Sequence, residues 1–307
     1  MKSFYSNGKL LLTGEYAVLD GALSLAVPTS FGQSLKVDEI DTPQLIWKSR
    51  DDKGAVWFES VFETETIFSD NVKKSENPVS QTLLNIFKEA KKLNPDFLKG
   101  NNGYSVETSL DFPRDWGLGS SSTLINNIAQ WAEVDAFQLL WNAFSGSGYD
   151  IACAQRDSPI VYQLKEGKPL VNPIDFNPSF SDSLYFIHLG KKQNSQDGIA
   201  RYQKMAFDVQ KLISQISEIT ENVIRCSNLS NFGELLSDHE QLISKAVQLP
   251  TVKESLFPDY EGAIKSLGAW GGDFILAAGD ENAPKYFKEK GFSTVVPFAK
   301  MILSPRD

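Results

Sequence analysis

The chain has 307 residues, of which 41% are hydrophobic and 22% are charged, a balance typical of a globular protein long enough for two domains. Its formal net charge is −9 and it contains no dense run of lysine and arginine, which argues against a nucleic-acid-binding protein. No apolar stretch approaches the roughly 20 residues that span a bilayer, and the N-terminus lacks a secretion signal, so we expect a cytoplasmic protein without a membrane partner.

Hydrophobic periodicity predicts a mixed chain of strands and helices with no internal repeat. Apolar runs between glycines indicate strands, and apolar residues at three- and four-residue spacing indicate helices. In chain order, the predicted elements are strands within 9–27 and at 32–39, 44–49 and 55–62, a helix at 79–93, a strand at 103–110, helices at 121–144 and 149–156, strands at 159–164 and 184–189, helices at 196–226, 230–247 and 252–266, a strand at 274–277, a helix at 282–290 and a strand at 294–296.

Residues 166–183 are rich in proline, glycine, serine and asparagine, which is typical of a junction between domains. We therefore expect an N-terminal domain over 1–178 and a C-terminal domain over 179–307, both of the α+β class, with a cleft between them.

The histidine content restricts the chemistry that the chain can perform. Its two histidines, His188 and His239, lie far apart without metal-ligand spacing, so neither a zinc site nor a Ser-His-Asp hydrolase is expected. Acid–base chemistry is therefore expected from Asp, Glu, Lys or Tyr, and a divalent ion held by oxygen ligands would suit that inventory.

The most informative segment is 113–123, which reads Pro-Arg-Asp-Trp-Gly-Leu-Gly-Ser-Ser-Ser-Thr and precedes apolar residues at helical spacing. A loop that leads into a helix presents unpaired backbone N–H groups and the positive end of the helix dipole. Gly117 and Gly119 lack the side chains that would hold a polyphosphate away from the backbone. The segment therefore predicts a phosphate site, although the same pattern fits an ordinary serine N-cap. It matches neither Gly-x-x-x-x-Gly-Lys-Ser/Thr nor Gly-x-Gly-x-x-Gly.

Three further segments carry candidate chemistry, and each has a structural alternative. Lys9 and Glu15 lie beside glycines at the ends of an apolar run, but charged residues near turns are mostly surface residues. Asp150 follows a glycine-rich segment at 145–148 and would also fit a helix cap. The segment 268–274 is rich in glycine, as many turns are.

In their order along the chain, the segments 7–21, 113–122 and 268–274 resemble the three signature motifs of the GHMP kinases. This superfamily includes galactokinase, homoserine kinase, mevalonate kinase and phosphomevalonate kinase. The first segment has Asn7 in place of a proline and Tyr16 in place of a histidine. The resemblance spans nearly the whole chain.

The second segment keeps Gly-Leu-Gly-Ser-Ser, with Asp115 where the family usually has a glycine. Residues 148–152 read Gly-Tyr-Asp-Ile-Ala and resemble the GYDIA-type members. Leu139 stands where mevalonate kinases have a metal-binding glutamate, and the nearest acids are Glu133 and Asp135.

The resemblance implies a two-domain fold, with an N-terminal α+β nucleotide-binding domain, a C-terminal ferredoxin-like α+β domain and the active site in the cleft between them. It implies ATP and Mg²⁺ as cofactors. Asp150 would take the proton from the substrate hydroxyl, and Lys9 would keep Asp150 ionised and stabilise charge on the transferring group. By the same resemblance, Ser121 and Glu15 would bind the metal, and the ATP phosphates would contact Gly117, Leu118, Gly119, Ser120, Ser121 and Ser122.

Residues 190–199 resemble a loop of the mevalonate-pathway members that contains serine or threonine. Its alternative is a solvated basic loop beside a capped helix. The residues expected to contact an anionic substrate are Glu15, Lys191, Lys192, Ser195, Arg201, Gly271 and Gly272.

The expected function is ATP-dependent phosphoryl transfer to a hydroxyl or phosphate of a small anionic metabolite, with mevalonate or phosphomevalonate favoured. The alternatives are a sugar or homoserine kinase, a diphosphomevalonate-type decarboxylase that uses Asp273, and a non-catalytic ligand sensor. The protein is expected to act on a small molecule as a monomer or homodimer.

Overall fold

A computed structural model describes residues 1–68, 76–100, 102–191, 195–268 and 270–303. The chain divides into two compact units. Unit 1 comprises Met1–Gly8, Phe31–Arg114 and Gly119–Gln155. Unit 2 comprises Lys9–Ser30, Asp115–Leu118 and Arg156–Asp307. Unit 2 combines segments from both predicted domains, and the boundary at residue 178 stays a prediction.

The strands and helices alternate along the described chain. The strands are β1 (Lys2–Thr13), β2 (Ser24–Ile40), β3 (Gln44–Arg50), β4 (Val56–Glu63), β5 (Gly103–Leu110), β6 (Ile160–Lys165), β7 (Lys168–Pro173), β8 (Leu184–His188), β9 (Ala263–Leu267), β10 (Phe274–Ala278) and β11 (Val295–Pro297). The helices are α1 (Thr64–Ile67), α2 (Pro78–Leu93), α3 (Ser120–Ala132), α4 (Ala136–Ala143), α5 (Tyr149–Ala154), α6 (Ser195–Lys204), α7 (Val209–Arg225), α8 (Leu229–Val247), α9 (Val252–Leu256), α10 (Ala283–Glu289) and α11 (Phe298–Met301).

Unit 1 packs helices against a mixed sheet. Strand β3 pairs antiparallel with β4 and parallel with β5, and β5 pairs antiparallel with the second half of β2. Helix α2 begins with a proline, is capped by Asn77 and buries one apolar face, as its predicted period requires. Trp47 of the sheet and Phe87 of α2 are both buried with their ring centroids 5.6 Å apart. This core supports α3 and α5, which carry the predicted loop and Asp150.

Unit 2 contains an antiparallel four-stranded sheet in the order β11-β8-β10-β9. Its chain order is strand, helices, strand, strand, helix, strand, which is the ferredoxin-like arrangement. The predicted ferredoxin-like fold of the C-terminal region is therefore confirmed. Unit 2 also contains the pairing of Ser24–Ala26 in β2 with β6, and the β6–β7 hairpin. Among the described residues, none of the helices combines the length and hydrophobicity that crossing a bilayer requires.

Two predicted helices are each interrupted. The predicted helix at 121–144 is two helices, because Glu133 adopts the left-handed conformation that ends α3 and the Asp135 side chain then caps α4. The predicted helix at 196–226 ends at Lys204 and starts again as α7, where the Asp208 side chain accepts a hydrogen bond from Lys211 N. Capping residues inside the periodic pattern were the missed signals.

One other prediction of secondary structure was wrong. The predicted helix at 252–266 is the short helix α9 followed by the buried strand β9. Pro258 follows the end of α9 and disfavours a helical conformation for the residue before it. Residues 166–183, the expected junction, contain β7, which pairs along its length with β6, and the junction itself stays a prediction.

Candidate functional site

The glycine-serine segment forms a loop that leads directly into helix α3. Gly117 (φ +66°) and Gly119 (φ +91°) lie in the left-handed region that a side chain disfavours. Gly119 is the N-cap of α3, and no side chain caps this 13-residue helix. The ordinary serine cap that the sequence allowed is therefore absent from this described helix. Its first-turn N–H groups keep the character of an anion site.

The serines at the start of α3 have different surroundings. Ser122 is buried, and its hydroxyl donates a hydrogen bond to Gly119 O at 2.8 Å. Thr123 is also buried and donates to the side-chain oxygen of Gln33 at 2.7 Å. Ser121 is exposed to solvent. The Ser122 and Thr123 side chains thus hold the shape of the loop, while the Ser121 hydroxyl is accessible to a ligand.

Lys9 is attached to the loop by two hydrogen bonds. Its backbone N–H donates to Leu118 O at 2.9 Å, and its ammonium Nζ donates to Gly117 O at 3.0 Å. A cation at the loop backbone is suited to stabilise an anion bound there.

Asp150 lies in the first turn of α5. The N-cap of this helix is Gly148, at φ +89°, and no side chain caps it, so the alternative in which Asp150 is the cap does not apply. Its Oδ1 accepts a hydrogen bond from the N–H of Ile151 at 3.1 Å. Within unit 1, α5 packs against α3. Lys9 belongs to unit 2, and its pairing with Asp150 stays a prediction.

An aromatic cluster in unit 2 holds the start of the loop. The His188 ring lies 5.1 Å from Phe274 and 6.3 Å from Trp116, between centroids. Its Nε2 lies 3.1 Å from Asp115 O, a distance at which a protonated Nε2 donates to the carbonyl. Sequence reasoning considered His188 only as a metal ligand and missed this supporting role.

Asp273 contacts the same loop. It is buried, and its backbone is left-handed (φ +51°). Its N–H donates to Lys191 O and its carbonyl accepts from Leu189 N, both at 2.8 Å. A Cβ built on Gly117 would overlap the Asp273 carboxylate. The absence of a side chain at Gly117 therefore lets the carboxylate lie directly against the loop.

This contact predicts the outcome of a substitution at Gly117. In the phosphate site that the sequence predicts, Gly117→Ala should weaken nucleotide binding at least about tenfold, because the new methyl group would displace either the loop or Asp273. Gly54→Ala is the matched control: Gly54 has φ +78°, and a Cβ there would have no neighbour within 4 Å. Titration with a fluorescent ATP analogue measures both variants. Equal affinities for Gly117→Ala and the wild type would contradict the prediction.

Glu15 belongs to a buried cluster of charged and polar groups in unit 2. Its carboxylate lies 2.7 Å from Lys265 Nζ, and both side chains are at most 1% exposed. Lys265 Nζ also lies 3.5 Å from the Glu240 carboxylate, which accepts a hydrogen bond from the Ser266 hydroxyl at 3.0 Å. The Nε2 atom of His239 accepts from the N–H of Gly14 at 2.8 Å. The cluster therefore connects the turn of the first motif to α8 and β9.

Burial dominates the titration of this cluster. It raises the pKa of Glu15 against the opposing effect of Lys265, and it raises the pKa of Glu240 to about 7. Burial and the positive charge of Lys265 hold the pKa of His239 well below its ordinary value. At neutral pH, His239 is therefore uncharged and can accept the Gly14 hydrogen bond.

The raised pKa of Glu240 predicts a pH-dependent stability. In the unfolded chain this group loses its proton near pH 4.5, whereas the folded protein keeps it until about pH 7. Its contribution to stability therefore falls as the pH rises through this interval. As the pH rises from 5 to 8, the difference in free energy of unfolding between Glu240→Gln and the wild type should shift in favour of the variant by more than ~1 kcal/mol.

Denaturant unfolding of both proteins at several pH values measures this difference. The titration of His239 is common to both proteins, so its effect on stability cancels. The matched control is Glu234→Gln, which changes an exposed glutamate on the same helix. Its difference from the wild type should not vary with pH. A difference for Glu240→Gln that is equally flat would refute the prediction.

Comparison with known proteins identifies the fold. No family model and no curated protein matches the sequence, but solved structures match it over nearly its whole length. Mevalonate kinase from Methanococcus jannaschii has a TM-score of 0.71 at 16% identity, covering 96% of both chains. Phosphomevalonate kinase from Streptococcus pneumoniae, in complex with phosphomevalonate and AMPPNP, has a TM-score of 0.69 at 17% identity, covering 100% of this chain and 99% of that one. Galactokinase from Lactococcus lactis, complexed with galactose, has a TM-score of 0.66 at 12% identity, covering 94% and 88%.

The chain has the GHMP kinase fold. This confirms the fold that the three motifs predicted. In this GHMP kinase fold, the three segments that resemble the motifs form the turn around Glu15, the glycine-serine loop and the turn around Asp273.

Within this GHMP kinase fold, the residues predicted to contact the substrate differ in their hydrogen bonds and exposure. Arg201 donates to Val247 O at 2.6 Å and to Gln248 O at 3.2 Å. Its charge thus lies at the C-terminal end of α8, where the helix dipole favours a cation, and this favours a structural role. Lys191 is exposed, and its carbonyl is bonded to Asp273.

The structure describes only some of the other residues of this GHMP kinase fold that are predicted to contact the substrate. Lys192 and the side chain of Ser195 lie outside the described residues. Gly271 has φ +79° with nothing within 4 Å of a built Cβ, and Gly272 is buried. Contact between these residues and a substrate stays a prediction.

Proposed function

We propose that this protein is an ATP-dependent kinase that transfers a phosphoryl group to a hydroxyl or phosphate of a small anionic metabolite. The observation that carries the proposal is the start of α3. The chain leads into this helix through Gly117 and Gly119, and no side chain caps the helix. The Lys9 ammonium donates a hydrogen bond to the loop backbone. A likeness of fold to kinases, one of them in complex with AMPPNP, supports it.

The nucleotide phosphates are proposed to bind at the backbone N–H groups of Gly119, Ser120 and Ser121. Phosphoryl transfer depends mainly on positioning and on neutralising charge, which fixed backbone donors provide without rearrangement. Gly117 and Leu118 bring the backbone close to the phosphates, and Ser122 keeps the loop in shape through its bond to Gly119.

Mg²⁺ would neutralise charge on the transferring phosphate. The exposed Ser121 hydroxyl is an oxygen ligand of the type that Mg²⁺ accepts. Glu15, the other predicted ligand, is buried 2.7 Å from Lys265, so its charge is already balanced. In the described part of the chain, no group of three or more His, Cys, Asp or Glu could hold a metal by itself. This favours an ion that arrives bound to the nucleotide and keeps few protein ligands.

Asp150 is proposed to accept the proton of the acceptor hydroxyl. A general base needs to be placed correctly and to be able to accept a proton, and the side chain of Asp150, half-buried in the first turn of α5, is a carboxyl group of the kind that serves this role. Lys9 is proposed to stabilise charge on the transferring group.

Mevalonate and phosphomevalonate are the favoured acceptors. Both carry a negative charge, which the exposed Lys191 beside the Asp273 turn would attract. The solved structures of similar fold include mevalonate and phosphomevalonate kinases as well as galactokinase, so the choice over a sugar rests on the charge of the acceptor.

A coupled assay for ADP release by the purified protein tests the function, with mevalonate, phosphomevalonate, homoserine, galactose and heptose phosphates as acceptors. We expect turnover with mevalonate or phosphomevalonate. Carbon dioxide release from diphosphomevalonate would instead identify the decarboxylase. Nucleotide binding without turnover on the whole panel would contradict the kinase and favour a ligand sensor.

A further inference from the structure

The placement of Asp273 raises an electrostatic question that the proposed function leaves open. Its carboxylate lies against Gly117, and two backbone hydrogen bonds of 2.8 Å fix the residue in a left-handed conformation. Aspartate is one of the few residues besides glycine that adopt this conformation as single residues. The turn therefore fixes a carboxyl group at the loop.

A carboxylate at this place would repel a bound polyphosphate unless a cation lies between them. Lys9 contributes one positive charge at Gly117 O, which is small against the charge of a nucleoside triphosphate. One carboxylate together with phosphate oxygens is the donor set that a divalent cation such as Mg²⁺ prefers. Gly117 leaves the room that the carboxylate itself occupies at the loop, since a Cβ there would overlap it.

The other candidate positions for a metal-binding carboxylate have different surroundings. Leu139, at the position of the expected glutamate, is buried in the core of unit 1. Glu133 ends α3, about 20 Å along the helix from its start. Asp135 caps α4 by accepting from Gln138 N at 2.9 Å. Glu15 is paired with Lys265 in the protein interior.

We propose that Asp273 supplies a carboxylate oxygen to the divalent cation that accompanies the nucleotide phosphates. The inference rests on the proposed function, because it requires the nucleotide to bind at the loop. It assigns Asp273 a role in metal binding that is separate from proton transfer by Asp150.

The test measures metal and nucleotide separately. Electron paramagnetic resonance of free Mn²⁺, with the protein in excess over AMPPNP so that the nucleotide is protein-bound, gives the affinity of the complex for the metal. Displacement of a fluorescent ATP analogue in EDTA gives the affinity for the nucleotide alone. Asp273→Asn should weaken Mn²⁺ binding at least about tenfold, while metal-free nucleotide binds equally well or more tightly because a repulsive charge is gone. Asp182→Asn, which removes an exposed carboxylate of the same unit outside the loop, should change neither value.

The possible results distinguish a failure of the metal-binding inference from a failure of the proposed function. Unchanged Mn²⁺ affinity in Asp273→Asn would overturn the inference. A parallel loss of metal-free nucleotide binding would also overturn it, because Asp273 would then only support the loop. Wild-type protein that binds no nucleotide in either condition would overturn the proposed function and the inference with it. If Asp273→Asn fails to fold, Asp273→Cys should shift the metal preference toward Cd²⁺, which favours thiolate. An unshifted preference would overturn the inference.

Discussion

Replacing Asp150 by asparagine is expected to lower kcat by about 10²- to 10⁴-fold, the usual contribution of a general base. The amide keeps the size of the side chain but cannot accept the proton of the acceptor hydroxyl. The affinity for ATP should stay within a few-fold, because the phosphates are proposed to bind at α3 and the change lies on α5.

Steady-state kinetics of Asp150→Asn, with ATP and the best acceptor from the panel, check this expectation. Asp52→Asn, an exposed aspartate of the same unit, is the control and should keep its turnover. Full turnover by Asp150→Asn would remove this residue from the mechanism.

The second large effect is expected at Lys265, which is completely buried and lies 2.7 Å from Glu15 and 3.5 Å from Glu240. Lys265→Met should lower the free energy of unfolding by about 3–5 kcal/mol, because it leaves buried carboxylates without a compensating charge. Denaturant unfolding at pH 8, above the pKa of about 7 that burial gives Glu240, measures this change.

Two further variants make this prediction specific to the buried charges. Adding Glu15→Gln and Glu240→Gln to Lys265→Met should recover part of the lost stability, since neutral groups in a buried site avoid the unpaired charge. Lys285→Met removes an exposed lysine whose Nζ lies 3.8 Å from Glu289, and it should change stability by less than about 0.5 kcal/mol. A loss below about 1 kcal/mol for Lys265→Met would show that the cluster does not depend on its ammonium.

The sequence predicted the elements whose periodicity is strong and local. The strand at Gly103–Leu110 and the helix at Pro78–Leu93 were predicted within one residue of their ends. Predictions failed where a local cap interrupts a periodic pattern, as at Glu133, or where a pairing partner decides the structure. The segment Ala263–Leu267 is a strand because β10 pairs with it, and a single sequence does not contain that information.

The candidate site was predictable in its motifs but not in its supports. The left-handed glycines and the start of α3 follow from the sequence of the loop itself. The Asp273–Gly117 contact and the Lys265–Glu15 pair join residues more than 150 positions apart, so no local pattern could reveal them. His188, Glu240 and Lys265 fit no motif, and each acquires its role only through tertiary contacts.

The proposed kinase depends on nucleotide phosphates binding to the N–H groups at the start of α3. A crystal structure with AMPPNP and Mg²⁺ would show where the phosphates lie. We expect the β- and γ-phosphates within hydrogen-bonding distance of the backbone N–H groups of Gly119, Ser120 and Ser121. A nucleotide bound elsewhere, with this loop empty, would contradict it.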